Sequence, residues 1–241
     1  MSTKEQEKEE RVFSKEINNQ MANINSNNQI KSKHRVTNHG EVFTHEREVN
    51  GMLDLVKNET ERLDSRFLEP ACGTGNFLVE VLNRKLSVLK QKYKKSQPEY
   101  EKYAVIVISS LYGIDLLEDN VEECRNRLLE IFAKEYGAIF KHDINNKFVG
   151  VLKFILNKNI VCGDALIMKD NKGKPLIFSE WSMPYNDARI KRKEYSFKDI
   201  FSPTLLWSFT TDSDTGERVI LPNVIKDYPL MNYMELINHE G

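Results

Sequence analysis

Two closely spaced glycines mark a potential binding loop. Gly73 and Gly75 stand between a short apolar run, Phe67-Leu68-Glu69, and a helical pattern that begins at Asn76. Glycine adopts positive φ easily and lets another molecule approach the backbone closely. The N–H groups at the start of the following helix point towards the loop, and the helix dipole favours negative charge there. Residues 67–79 therefore predict a strand, a glycine turn and a helix, the arrangement at which open α/β sheets bind cofactors.

The residues around the two glycines distinguish three kinds of glycine loop. A phosphate-binding P-loop needs Gly-Lys-Ser/Thr after the loop, and none follows here. A dinucleotide fingerprint needs a third glycine or an alanine at position 78, which is Leu78. The third kind has an acidic residue, a proline and a small residue before Gly-x-Gly, as in Glu69-Pro70-Ala71-Cys72-Gly73. A turn that binds nothing is the remaining alternative.

Two aspartates follow further predicted strands. Asp115 ends the apolar run of residues 111–114, and Asp164 follows the run of residues 159–162. A carboxylate at the tip of the strand next to the glycine loop can accept both ribose hydroxyls of an adenosine cofactor. Asp164 is suited to accept a hydrogen bond from the adenine amine. The alternatives are that Asp115 caps a helix and that Asp164 only stabilises a turn.

Apolar residues at helical spacing predict the elements that position these groups. The predicted helices cover residues 76–92, 100–110, 116–135 and 148–156, and a shorter one contains Val49, Met52, Leu53 and Val56. Thr44 is the expected N-cap of this shorter helix. A fourth strand is expected at residues 176–178. A basic run on the other face of the helix over residues 76–92 predicts a solvated surface or, alternatively, a contact with phosphate or an acidic partner. The run consists of Arg84, Lys85, Lys90, Lys92, Lys94 and Lys95.

Composition limits the classes of protein to which the chain can belong. The 241 residues are 40% hydrophobic, enough for one substantial core. The net charge of -1 argues against strong independent DNA binding, which usually needs a basic excess. Three widely separated cysteines predict neither a zinc site nor a disulfide framework and fit a cytoplasmic protein. The charged N-terminus excludes a secretory signal, and no apolar run is long enough to span a membrane.

Changes in composition along the chain predict three regions. Residues 1–37 are rich in Lys, Glu, Asn and Gln and predict a flexible or helical arm. Residues 38–200 contain the glycine loop and both aspartates and predict the cofactor-binding domain. Residues 201–241 lack strong periodicity and predict an irregular C-terminal extension.

Four motifs together carry a resemblance to a known family. They are Gly40-Glu41-Val42-Phe43-Thr44, then Leu68 to Leu78 around the glycine loop, then Tyr112-Gly113-Ile114-Asp115, then Val161 to Leu166 around Asp164. In this order the chain resembles the adenine-specific (N6) DNA methyltransferases of restriction-modification systems, over roughly residues 38–185. The cofactor half precedes the catalytic half, as in the gamma-type members of that family.

The resemblance implies a fold, a cofactor and a set of site residues. The implied fold is α/β, with the doubly wound, mostly parallel sheet of the class I, Rossmann-like methyltransferases, and the implied cofactor is S-adenosylmethionine. By position in the motifs, Asp115 holds the ribose and Asp164 the adenine amine. The residues implied to flank the methionine end or to form the loop are Phe43, Thr44, Glu69, Ala71, Cys72, Gly73 and Gly75. No metal is implied.

The chain departs from the family pattern at the catalytic motif. Family members carry Asn/Asp-Pro-Pro-Tyr/Phe, whose first side chain accepts from the target amino group while the ring stacks on the flipped base. Here the corresponding stretch is Ser182-Met183-Pro184-Tyr185. Ser182, Pro184 and Tyr185 are therefore the catalytic candidates, but serine lacks the amide acceptor. A second departure is His45, where the family often has proline.

These observations lead to two main functional hypotheses. In the first, the chain is a DNA adenine methyltransferase, or the cofactor-binding subunit of a split one, in restriction-modification or phage defence. It would then reach DNA through a partner subunit in a hetero-oligomer. In the second, it is a non-catalytic S-adenosylmethionine-binding subunit that regulates or scaffolds a larger complex. A small-molecule or RNA methyltransferase is the third hypothesis; the altered catalytic motif disfavours it, since RNA-modifying relatives use the same motif.

Overall fold

A three-stranded parallel sheet organises the fold in the computed structural model, which describes residues 44–141, 144–198, 208–211, 218–221 and 223–238. The strands are β1 (Phe67–Glu69), β2 (Leu111–Asp115) and β3 (Ile160–Cys162), in the order β1-β2-β3. Glu69 pairs with Gly113, and Asp115 pairs with Cys162. Because all three strands are parallel, their carboxyl ends meet at one edge of the sheet.

Helices connect the parallel strands. Two helices, α1 (Glu46–Asp54) and α2 (Lys57–Thr60), precede β1. The β1–β2 connection contains α3 (Asn76–Tyr93) and α4 (Gln97–Ser109), and the β2–β3 connection contains α5 (Glu118–Phe140) and α6 (Asn146–Asn159). Their apolar residues recur every three or four positions and face a shared core, as the sequence predicts.

The two faces of the sheet are covered by different kinds of element. Successive side chains of β2 point to opposite faces. A Cβ atom on Gly113 would lie 3.0 Å from Cys72 Sγ and 3.1 Å from Leu78 of α3, so this face meets the helices. Tyr112 and Ile114 point the other way, and the Tyr112 ring lies 5.6 Å from that of Phe178. An antiparallel hairpin therefore covers the second face.

That hairpin belongs to a separate antiparallel sheet. It joins β4 (Ile177–Ser182) to β5 (Arg189–Ser196), and β5 also pairs with β8 (Val224–Asp227) and β9 (Met231–Asn232). The remaining strands, β6 (Ser208–Thr211) and β7 (Arg218–Leu221), pair with each other. The predicted fourth strand exists, but it does not extend the parallel sheet, because a short turn lets β4 pair with its neighbour in sequence.

The chain beyond residue 200 contains regular structure within the described residues. Besides β6 to β9, a 3₁₀ helix spans Tyr233–Asn238 and packs on α6. Tyr233 and Leu236 are buried in the main core. All the described residues belong to one compact unit, Thr44–Gly241. The division into three regions, with residues 201–241 as a C-terminal extension, stays a prediction.

Lys85 is an exception to the predicted solvated basic face, on which Lys90, Lys92, Lys94 and Lys95 are exposed. Its side chain is fully buried, and its Nζ donates to the carbonyl of Leu63 at 3.3 Å and to Ser110 Oγ at 2.6 Å. It also donates to the carbonyl of Ser65. These acceptors lie in the segments that lead into β1 and β2, so one ammonium group ties the beginnings of two strands together.

Two helix starts also differ from their predictions. His45, and not Thr44, caps α1: its Nδ1 accepts from the N–H of Arg47 at 3.3 Å. Helix α4 begins at Gln97, earlier than predicted, with Pro98 in its first turn. Proline is tolerated there because the first N–H groups of a helix have no partner within it.

Candidate cofactor-binding site

The glycine loop joins the carboxyl end of β1 to α3. Gly73 and Gly75 have φ values of 51° and 91°, and Gly75 is the N-cap of α3. The N–H of Cys72 donates to the carbonyl of Ile114 at 2.8 Å, which fixes the loop to β2. A Cβ atom on Gly73 would meet nothing within 4 Å, so this side of the loop is open to a ligand.

Asp115 connects the loop to the tip of β2. Its Oδ2 accepts from the N–H of Gly73 at 2.9 Å, and its Oδ1 accepts from the N–H of Leu117 at 3.0 Å and the amide of Asn120 at 3.1 Å. The helix-cap alternative is not what the structure has, since Leu117 is the N-cap of α5. The structure thus brings Asp115, the residue predicted to bind the ribose, into direct contact with the glycine loop.

Helix α5 supplies contacts to the loop that the sequence analysis missed. Arg127 donates from Nη1 to the carbonyl of Thr74 at 2.6 Å, to its Oγ1 at 3.0 Å and to Asn76 Oδ1 at 3.0 Å. Cys124, one turn earlier, lies so near that a Cβ on Gly75 would be 2.6 Å from its sulfur. Asn120 is a polar residue at a buried position of α5, whereas no local pattern distinguishes Arg127 from the other charged residues of the helix.

Glu69 and Thr44 lie beside the loop on the β1 side. Glu69 Oε1 accepts from the N–H of Ala71 at 3.4 Å. Partial burial raises the pKa of the Glu69 carboxyl, and the Ala71 hydrogen bond opposes this shift. The carbonyl of Thr44 accepts from Asn76 at 3.4 Å, at the start of α3. Phe43, the other residue predicted here, lies outside the described residues.

Asp164 lies at the same edge of the sheet as Asp115. The N–H of the preceding Gly163 donates to the carbonyl of Asp115 at 2.8 Å. Asp164 Oδ1 accepts from the N–H groups of Leu166 at 2.8 Å and Ile167 at 3.3 Å. The turn role considered for Asp164 is therefore present, beside the tip of β2 that carries Asp115.

The three cysteines are unsuited to nucleophilic chemistry. Cys72 and Cys124 are buried side by side, and their mutual hydrogen bond together with burial raises the pKa of Cys72. Burial is the main cause that raises the pKa of Cys162 to about 11, and the neighbouring Glu118 adds to it. The thiolate is the reactive form of cysteine, so the raised pKa values leave Cys72 and Cys162 inert near neutral pH, and burial shields Cys124.

The catalytic candidates lie at the opposite edge of the parallel sheet. Trp181 donates to Asn159 Oδ1 at 2.8 Å, and Asn159 donates to the carbonyl of Ser109 at 3.1 Å. Asn159 immediately precedes β3, and Ser109 lies two residues before β2. Ser182 follows Trp181 and lines an open groove of about 300 Å³ at that edge, with Ser110. The structure does not bring Ser182 to the glycine loop.

The rest of the predicted catalytic motif is also exposed at this edge. Pro184 and Tyr185 both face solvent, and the guanidinium of Arg189 lies 4.2 Å from the Tyr185 ring centroid.

In the part of the chain that is described, no group of three His, Cys, Asp or Glu side chains could hold a metal ion. None of the described helices is long and apolar enough to cross a membrane.

Comparison with known proteins identifies relatives. Residues 43–176 match the family described as MmeI, DNA-methyltransferase domain. The chain is 25% identical over 138 residues to a putative type II restriction enzyme and methyltransferase of Methanocaldococcus jannaschii, across 53% of the chain and 11% of that protein. It is 23% identical over 139 residues to DNA methyltransferase A of Bacillus subtilis, across 54% of the chain and 16% of that protein. No solved structure matches the chain.

The chain thus spans less than a fifth of the length of either relative. These matches confirm the resemblance to DNA methyltransferases of the restriction-modification type. Because the family match extends over more than half of the 241 residues, the chain belongs to the MmeI DNA-methyltransferase domain family.

Proposed function

We propose that this chain binds S-adenosylmethionine and forms the cofactor half of a DNA (adenine-N6) methyltransferase of a restriction-modification or phage-defence system. The observation that carries the proposal is the hydrogen bond between Asp115 and the N–H of Gly73, which unites a carboxylate and a glycine loop at two adjacent strand tips. Members of this family of enzymes generally use S-adenosylmethionine. The gamma-type order of the motifs supports adenine as the target base.

The described residues fit this cofactor by charge and space. The open side of Gly73 leaves room at the loop, and the start of α3 favours the carboxylate of the methionine part. Asp115 would accept from the ribose, Asp164 from the adenine amine, and Glu69 would lie near the positive charges of the ligand. When bound, S-adenosylmethionine supplies a methyl group already activated on sulfur, so the protein acts mainly by positioning.

We propose further that β1, β2 and β3 form one half of a doubly wound, Rossmann-like sheet, within a cofactor-binding domain of residues 38–200. The parallel order β1-β2-β3 supports this, because the cofactor crevice of such sheets lies beside the first strand, where the strand order reverses. A partner subunit would supply base recognition and help to complete the catalytic site in a hetero-oligomer.

Calorimetric titration of S-adenosylmethionine into the wild type and Asp115→Ala tests the cofactor assignment. We expect binding by the wild type and at least a tenfold loss in the variant, since a hydrogen bond to a charged group contributes roughly 1.5–3 kcal/mol. Asp187→Ala is the matched control, because Asp187 also accepts from the N–H two residues later, but on the β4–β5 hairpin. Equal affinity of wild type and Asp115→Ala would refute the ribose assignment.

Transfer of labelled methyl groups to duplex DNA tests the proposed reaction. The purified chain should transfer few methyl groups alone and more when mixed with the products of neighbouring genes. Digestion of the DNA to nucleosides should then place the label on the adenine N6 position. The proposal of a split methyltransferase fails if no combination transfers methyl groups to adenine.

The position of the altered catalytic motif favours a second candidate function, a non-catalytic S-adenosylmethionine-binding subunit. Ser182, Pro184 and Tyr185 lie at the sheet edge opposite the glycine loop, so their predicted role in catalysis stays a prediction. In a reconstituted active complex, Ser182→Ala and Tyr185→Ala should leave the methylation rate unchanged if this segment takes no part in catalysis. A fall in kcat of about 100-fold or more would instead show that this segment takes part in catalysis.

A further inference from the structure

One stripe of α5 lies against the glycine loop. Asn120, Cys124 and Arg127 are spaced by four and three residues, which places them on the same side of a helix. Asn120 donates to Asp115, and the Cys124 sulfur occupies the space next to Gly75. The binding loop is therefore held in place by an element that follows it by more than forty residues.

Arg127 makes the most extensive of these contacts. A single guanidinium nitrogen reaches both the carbonyl and the hydroxyl of Thr74 and also Asn76 Oδ1. Thr74 is only 4% exposed, so water has little access to its carbonyl. A buried carbonyl that loses its donor is costly, and the loop would shift to find another. Arg127 thus fixes the backbone between the two glycines.

We infer that Arg127 is a positioning residue for cofactor binding. It holds the glycine loop in the conformation in which the N–H of Gly73 donates to Asp115. This inference rests on the proposed function, because it concerns the same S-adenosylmethionine site. Arg127 acts on the ligand only through Thr74 and Asn76, which it contacts directly. The other two residues of the stripe complete the support, Asn120 through the carboxylate of Asp115 and Cys124 through packing.

Calorimetry with S-adenosylmethionine tests the inference on four proteins: wild type, Arg127→Ala, Arg127→Lys and Arg125→Ala. Arg125 is the matched control, because it lies on the same helix and its guanidinium contacts the carbonyl of Ile160 instead of the loop. We expect Arg127→Ala to bind about tenfold more weakly or worse. Arg127→Lys should recover part of the affinity, because an ammonium still supplies a donor, and Arg125→Ala should match the wild type.

A double-mutant cycle separates positioning from general destabilisation. Thr74→Val removes one acceptor of Arg127 with little change in shape. It should weaken cofactor binding in the wild type but have little further effect in Arg127→Ala, whereas a general loss of stability would give additive effects. Equal affinity of wild type and Arg127→Ala would overturn the inference and leave the proposed function standing. Absence of binding by the wild type would overturn both.

Discussion

The buried ammonium of Lys85 makes the stability of the protein depend on pH. Burial lowers the pKa of Lys85 to about 7, although nearby carboxylates partly oppose the shift. The folded chain therefore releases this proton at lower pH than the unfolded chain does. The contribution of Lys85 to the free energy of unfolding is therefore largest above the ordinary pKa of lysine, and it is lost as the pH falls towards 7.

Lys85→Met should remove this pH dependence. Between pH 7 and 9, the wild-type free energy of unfolding should contain a component that rises by up to about 1.4 kcal/mol per pH unit, the value for one proton. Urea unfolding across this range measures the component as the difference between wild type and variant. Lys92→Met is the control, since Lys92 is exposed on the same helix. A variant slope equal to that of the wild type would contradict the assignment.

Single residues also show where sequence patterns stop being informative. The glycines and aspartates at the strand tips could be predicted, because their types and local spacing specify backbone geometry and charge. Lys85 could not, because a long charged side chain normally reaches water, and only the fold reveals the three oxygens around it. Arg127 could not either, because its partners are more than fifty residues away in the chain.

The packing of the glycine loop against α5 makes a prediction at the level of elements. Gly75→Ala adds a Cβ that conflicts with the Cys124 sulfur at 2.6 Å and must also adopt a φ of 91°. We expect destabilisation by roughly 2–5 kcal/mol, the sum of overpacking and left-handed strain. In a Cys124→Ala background the cost should fall to roughly 1–2 kcal/mol, because only the backbone strain is left.

Denaturant unfolding measures these differences, with Gly150→Ala as the control. Gly150 lies in α6, and a Cβ there would meet nothing within 4 Å, so alanine should be neutral or stabilise by up to about 1 kcal/mol. If Gly75→Ala costs the same with and without the Cys124 sulfur, then close packing between the loop and α5 does not limit residue choice at this position.

Elements differed in how well they could be predicted. The strands β1, β2 and β3 and the helix α3 follow the predicted ranges closely, because local periodicity sets them. The helices α4, α5 and α6 extend two to five residues beyond one or both of their predicted ends. The partner of β4 could not be predicted, since a strand pattern says nothing about which strand lies beside it. The apolar run that suggested a fourth parallel strand instead forms a hairpin, with Phe178 packed on Tyr112.

At the scale of the whole molecule, charge is balanced both overall and locally. The net charge is -1. Three of the four basic residues of β5 form ion pairs with carboxylates, and one of these pairs joins Arg192 to Glu194. Arg189 pairs with Asp187 at 2.8 Å, and Lys191 pairs with Asp227. A strand that looks basic in sequence therefore presents little net positive charge to a nucleic acid.

The isolated chain should consequently bind DNA weakly. We expect a Kd no tighter than the range of roughly 10⁻⁴–10⁻⁶ M that is typical of non-specific binding at physiological salt. Fluorescence anisotropy of a labelled duplex measures this affinity, alone and with candidate partner subunits. Addition of the true partner should tighten binding and make it depend on sequence. Submicromolar binding by the chain alone would show that base recognition needs no second subunit.

The hydrogen bonds of Asp115 would make binding of the proposed cofactor an exchange of hydrogen-bond donors. An ionised carboxylate offers about four lone-pair positions, and Gly73, Leu117 and Asn120 already use three of them. Two ribose hydroxyls cannot both be added without displacing one of these donors. In the proposed complex, Asp115 would therefore serve two competing sets of donors, those of the protein and those of the ligand. Through this competition the conformation of the glycine loop would be coupled to the presence of the ribose.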